Sequence, residues 1–155
     1  MLSRIALGFI SVFFSFGGFW EASRIAGIIE RFGYDPSFAR LDLTVHPFCA
    51  SSATQDIRLT TRYDEGDITS IFTAMHECGH GVYEHGVSQA LERTPLCHGV
   101  SSALHESQSR MWENLVGRSR PFWQFFFPRL RETFPEVLGD WELDAFFRSM
   151  NRVQP

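Results

Sequence analysis

Apolar residues recur along this chain first in a nearly continuous run, then every three to four residues, then every second residue, and each change of rhythm marks an element. Residues 5–19 are the nearly continuous run, almost wholly apolar. Behind Arg4 they read like the hydrophobic region of an export signal, and they are too few to span a bilayer comfortably. Ile25, Ile28, Ile29 and Phe32 then fall at helical spacing, and Gly33 stands where a helix over 21–32 would stop. Asp35-Pro36 and His46-Pro47 push the residue before each proline out of helical backbone, so 34–47 reads as a loop. Over 55–63 the period becomes two, with Ile57, Leu59, Thr61 and Tyr63 on one side and Arg58, Thr60 and Arg62 on the other. Together with the β-branched residues this predicts a strand.

Asp64-Glu65-Gly66-Asp67 ends that alternation, and Asp67 is placed to cap a helix whose apolar positions are Ile68, Ile71, Phe72, Met75, Gly79, Val82 and Tyr83. Gly86 is its natural stop. After a loop containing Pro95, a second helix starts from Ser101 or Ser102 and ends at Gly117. It sets Leu104, Met111 and Leu115 on one side, opposite Glu106, Arg110 and Glu113. The aromatic tail over 121–155 reads as one or two helices broken at Pro128 and Pro135. There is no internal repeat and no low-complexity segment.

A length of 155 residues fits one domain, read as an apolar N-terminal segment over 1–20 followed by a domain over 21–155. Hydrophobic residues at 44% and charged residues at 21% argue against disorder. A net charge of −4 without a Lys/Arg run gives no footprint for a phosphate backbone, so nucleic acid is not an expected partner. Cys49, Cys78 and Cys97 are odd in number and widely spaced, which fits neither a disulfide framework nor a paired thiolate site. Reduced thiols point to the cytoplasm. The run over 5–19 supplies the alternative, export or membrane association.

The chemistry concentrates on the first long helix. His76 and His80 are four residues apart, project from one helical face and can offer two imidazole nitrogens to one ion. Glu77 lies on an adjacent face, where it can reach a metal-bound water without being a ligand; zinc lowers the pKa of such a water to about 7. The plainer reading of the pair is a core helix with two hydrogen-bonded histidines. A catalytic zinc needs a third protein ligand, and His85, His98, His105 and Glu106 are the candidates. His85, five residues past His80, points away. His98 and Cys97 lie in the loop. Glu106, with Arg110 and Glu113, is either part of a solvated run of ion pairs or a ligand carboxylate steadied by Arg110.

The run His76-Glu77-Cys78-Gly79-His80, followed 26 residues after His80 by Glu106 within His105-Glu106-Ser107-Gln108, resembles the carboxypeptidase Taq family of metallocarboxypeptidases. His46-Pro47-Phe48 and Asp56-Ile57-Arg58-Leu59-Thr60 match two upstream signatures of that family, and the resemblance extends from Arg31 to the end of the chain. It implies a mainly α, gluzincin-like fold, with the His-Glu-x-x-His helix, a third-ligand helix and a small β-sheet beside the site. It further implies removal of single C-terminal residues from peptide substrates. One Zn2+, or Co2+, would be held per chain by His76, His80 and Glu106, with Glu77 as general base. Arg110 would support Glu106. Asp56 and Arg58 would shape the site or form a buried structural ion pair, and His46 with Pro47 would make a turn near the cleft. Family members are commonly homodimers.

Departures from the family set a second expectation. Its members are much longer, with a large helical region before the first motif and two further motifs after the segment resembling Met150 to Pro155. One of those motifs carries an arginine for the substrate's terminal carboxylate, a role for which guanidinium geometry is suited. The expectation is therefore a partial catalytic domain with weak or no activity alone. The alternative is a noncatalytic metal-binding or regulatory chain that pairs with full-length relatives.

Overall fold

The computed structural model describes residues 25–62 and 68–153. The apolar segment over 1–20, Tyr63 and the break with its cap at Asp67 lie outside them. Residues 25–29 are helical (α1) and tighten into a 3-10 turn over Glu30–Phe32, closed by Gly33 at φ 101°. Ile25 and Ile29 are buried, as the spacing predicts.

The loop expected over 34–47 contains a strand. β1 (Ala39–Leu43), β2 (Phe48–Ala53) and β3 (Asp56–Thr61) form a sheet in the order β1-β3-β2, with β1 parallel and β2 antiparallel to β3. Pro36 and Pro47 flank β1 rather than interrupt it, and β2, Phe-Cys-Ala-Ser-Ser-Ala, has little β-branched content of its own. Both edges exist because β3 supplies a partner, a long-range cause invisible in local pattern. In β3 the predicted alternation holds: Ile57 and Leu59 are buried and Arg58 is exposed. Thr60, expected on the outer side, is buried as well, because its Oγ1 accepts from the Phe48 N–H at 2.8 Å.

The long helix, α2 (Thr69–His85), crosses the sheet. Its contact surface is cut to shape by Gly81. A Cβ there would lie 2.9 Å from Leu59 Cδ2 and 3.0 Å from Ile57 Cγ2. Gly79 does the same toward the next helix, where a Cβ would meet Ser109 Cα at 2.8 Å and Trp112 Cδ1 at 2.9 Å. That helix, α3 (Ser102–Arg110), is capped by Ser101 Oγ, which accepts from Leu104 N at 3.1 Å, and runs on as a π-helical turn over Met111–Val116. Glu92 ties the intervening loop to the sheet by accepting from Thr54 N at 2.8 Å and Thr54 Oγ1 at 2.6 Å.

α3 inverts the usual arrangement. Leu104 and Leu115 are exposed, while the polar side carrying Glu106, Ser109 and Glu113 turns toward α2. Ser109 is fully buried. Polar groups face inward here because they find one another across the helix pair, which removes the penalty of burying them.

The aromatic tail forms three helices, α4 (Arg120–Thr133), α5 (Pro135–Leu138) and α6 (Leu143–Met150). Pro135 opens α5, where its missing N–H costs nothing. Pro128, expected as a break, lies inside α4. An interior proline costs roughly 3 kcal/mol, and burial of Trp123 and Phe127 in the turns before it opposes that cost. Trp123 is the hub of this second core, with Phe122 and Phe146 both 4.8 Å from it and Phe72 of α2 at 6.1 Å. The result is the expected mainly α fold with a small sheet. Among the described residues no helix is long and apolar enough to cross a membrane.

Gly79→Ala tests the close approach of α2 and α3. The extra methyl should cost about 1–3 kcal/mol of stability by overpacking, seen as a lower midpoint in chemical denaturation of the purified chain.

Candidate metal centre

α2 and α3 bring three donors together, two of them one helical turn apart and the third, Glu106, 26 residues past His80. His80 Nε2 lies 3.4 Å from Glu106 Oε2, and His76 Nε2 lies 3.7 Å from the same oxygen. One donor atom from each of the three residues fits within a set no wider than 4.8 Å. Bonds of about 2.0–2.1 Å to a tetrahedral zinc imply ligand–ligand edges of roughly 3.4 Å. Two imidazole nitrogens and one carboxylate oxygen at these separations fit a metal of that kind, with a fourth position left for water.

Further polar groups hold the donors. His76 Nδ1 sits 2.9 Å from Glu113 Oε2, the contact that fixes which nitrogen carries the proton and aims Nε2 at the centre. Arg110 spans both acids, its Nε donating to Glu106 Oε1 at 2.9 Å and its NH1 to Glu113 Oε2 at 3.3 Å. Ser109 Oγ donates to the Glu106 carbonyl at 2.7 Å. His80 differs from His76, since its Nδ1 is buried with no partner at hydrogen-bonding distance.

The electrostatics suit cation binding. Burial, reinforced by the neighbouring His105 and His76, pushes the His80 imidazole down to about 4, and the opposing influences of the Glu106 charge and the His105 backbone do not offset this. The ring is therefore neutral at pH 7, the form that donates a lone pair. For Glu106, burial acts to raise the pKa, but the Arg110 bond and the two imidazoles outweigh it and leave the carboxyl below its ordinary range. Glu77, 8% exposed on α2, moves the other way. Burial raises it, the charges of Glu106 and Glu113 add to that, and His76 opposes. A carboxyl of raised pKa is better able to hold a proton near neutrality. Burial also pushes the Cys49 and Cys78 thiols up to about 12, so neither is a thiolate at pH 7.

Of the four candidates for a third donor, the structure brings Glu106 to the histidine pair. His85 stacks on Phe38 with centroids 3.6 Å apart and hydrogen-bonds the Thr54 carbonyl at 2.7 Å. His98 is exposed, and His105 faces Glu84 at 2.8 Å. Asp56 and Arg58 pair at 2.8 Å with half-exposed side chains, on the sheet face opposite Ile57 and Leu59 and hence turned from α2. They are neither gathered at the cluster nor buried. His46 has an exposed ring, and its carbonyl accepts from Thr44 Oγ1 in the turn between β1 and β2. Sequence reasoning gave no part to Glu84 and placed Glu113 among the α3 ion pairs without its contact to His76. The one local signal for Glu84 is its place eight residues past His76 and four past His80, on the same face of α2.

The depressed His80 pKa makes a prediction for the metal-free chain. Unfolded imidazole binds a proton near pH 6.5, whereas folded His80 resists until about pH 4, so the unfolded state gains protons first and folding stability falls as pH drops through that window. Urea midpoints measured from pH 7 to 4 should decrease, and His80→Gln should flatten part of the decrease.

The chain matches the family described as carboxypeptidase Taq (M32) metallopeptidase over residues 16–155. It is 44% identical over 128 residues to carboxypeptidase 1 of Bacillus subtilis (strain 168) and 47% identical over 129 residues to thermostable carboxypeptidase 1 of Thermus thermophilus. These alignments cover 82% and 83% of this chain but 26% and 25% of the relatives, so the chain spans about a quarter of their length. The crystal structure of the M32 carboxypeptidase from Deinococcus radiodurans R1 superimposes with a TM-score of 0.87 at 43% identity, over 94% of this chain and 29% of that one. A matching fold, a matching sequence and a cluster suited to the metal that such peptidases use lead to one conclusion: the chain belongs to the carboxypeptidase Taq (M32) family of metallopeptidases.

Proposed function

We propose that His76, His80 and Glu106 hold one zinc ion per chain and that Glu77 is the general base of a metallocarboxypeptidase reaction on peptides. The two imidazole spacings to Glu106, close to the edges of a zinc tetrahedron, within a donor set no wider than 4.8 Å, carry this reading. The ion, when bound, supplies Lewis acidity toward a water and the scissile carbonyl. Everything else is the work of side chains. Glu77 takes the proton of the attacking water and passes it to the leaving amine nitrogen, and its raised pKa suits it to carry the proton between those steps. Glu113 orients His76, and Arg110 fixes the carboxylate plane of Glu106.

Release of a C-terminal residue also needs a cation for the terminal carboxylate. Arg58 is engaged with Asp56, and Arg110 with Glu106 and Glu113. With those two guanidiniums occupied, the reading extends to weak or no peptide release by these 155 residues alone, whereas metal binding is retained.

Equilibrium dialysis of the purified chain should find one zinc per chain, lost in His76→Ala, His80→Ala and Glu106→Ala but kept in Glu77→Gln. Any peptide release by the zinc-loaded chain should drop by about 100-fold or more in Glu77→Gln. Turnover that persists in that variant would remove Glu77 from the role, and vigorous release by the unaltered chain would refute the expected weak activity.

A further inference from the structure

α2 carries a buried acid that the chemistry above does not use. Glu84 is 8% exposed and lies one helical turn beyond His80 on the same face. Three elements outside α2 converge on it. His105 Nε2 lies 2.8 Å from Oε1, the Gly99 N–H donates to the same oxygen at 3.2 Å, and Ser51 Oγ of β2 donates to Oε2 at 3.4 Å. His98 Nδ1 stands farther off, at 3.7 Å.

The His105 ring is enclosed as a result. One face stacks on His80, with centroids 4.3 Å apart and planes at 19°. Tyr83 meets it edge-on at 5.5 Å. Gly99 closes the remaining side, where a Cβ would come within 2.6 Å of His105 Cδ2. The stack matters because the two histidine donors are held differently. His76 has Glu113 on its Nδ1, but the buried Nδ1 of His80 has no side chain in that place, so packing against the His105 ring bears on its plane. The start of α3 has the same need. Ser102, Ala103 and Leu104 are exposed, so apolar burial does not hold this turn against α2, and His105 is adjacent to Glu106.

We propose that Glu84 and His105 are a positioning pair for the metal centre: the Glu84 carboxylate anchors the His105 ring, which sets the plane of His80 and seats the first turn of α3 so that Glu106 reaches the ion. This rests on the reading of His76, His80 and Glu106 as the ligand set. Neither residue touches the metal or the substrate.

The test uses the whole chain, with zinc affinity measured against a chromophoric chelator and ligand geometry read from the visible absorption of the cobalt-loaded protein. Glu84→Ala and His105→Ala should each weaken zinc binding about 10–100-fold and shift the cobalt band, with metal-free circular dichroism like that of the unaltered chain. Glu84→Gln, which still offers His105 an acceptor, should stay near the unaltered affinity. The Glu84→Ala/His105→Ala double variant should lose little more than either single one, since both act through one contact. His98→Ala, altering a side chain 66% exposed, should change nothing. Should one alanine variant fail to fold, the other decides. Unchanged affinity and spectrum in a folded alanine variant overturn the pairing and leave the ligand set standing. Absence of stoichiometric zinc in the unaltered chain overturns both.

Discussion

The close approach of α2 and α3 at Gly79 and Ser109 is the constraint on which the rest depends. A side chain at position 79 would strike the α3 backbone at Ser109, and a wider gap would take the Glu106 carboxylate out of reach of two imidazoles fixed on the other helix. Glycine on one helix and serine on the other solve this by omission of bulk. Where the backbones are that near, at Gly79 and Ser109, small residues meet, and beside them polar side chains that bond to one another occupy much of the seam. The inward polar face of α3 and its outward leucines both follow from this.

A seam built this way carries an imbalance. Glu77, Glu84, Glu106 and Glu113 gather around His76, His80 and His105, with the Arg110 guanidinium placed among them. Burying carboxylates with too little positive charge is unfavourable, and Glu77 answers by a raised proton affinity. A divalent cation at the proposed position would relieve the same strain, so metal affinity and folding stability are coupled through these acids. The sheet adds a neutral wall: Ile57 and Leu59 press on Gly81, which keeps the helix seated while its other face manages charge.

How much of this could be read in advance depended on how local its cause was. The period-two run of β3 and the four-residue step from His76 to His80 depend on neighbours in sequence, and both appear where the pattern put them. β1 and β2 do not advertise themselves, because the central strand makes them. Pro128 was read as a break because the local rule is right about its cost, and the aromatic burial that opposes it comes from α6 and α2. The contact of His76 with Glu113 joins residues 37 apart, which no helical spacing reveals. Asp56 and Arg58 sit on the solvent side of the sheet because β3 alternates, a fact its own pattern contained: if Ile57 and Leu59 face the helix, Arg58 cannot.

The arrangement of donors has a consequence for the order in which the chain can assemble. His76 and Glu106 lie on consecutive helices joined by one loop, and neither needs the aromatic core over 120–150 to be near the other. An ion bound as proposed would act as a cross-link across that loop. By analogy with a disulfide closing a segment of this size, the gain is roughly 3–4 kcal/mol of chain entropy removed from the unfolded state. The helix pair could then be captured early as a tethered hairpin, with β2 and the Trp123 cluster condensing onto it afterwards, so that a metal bound as proposed would double as a nucleus for folding.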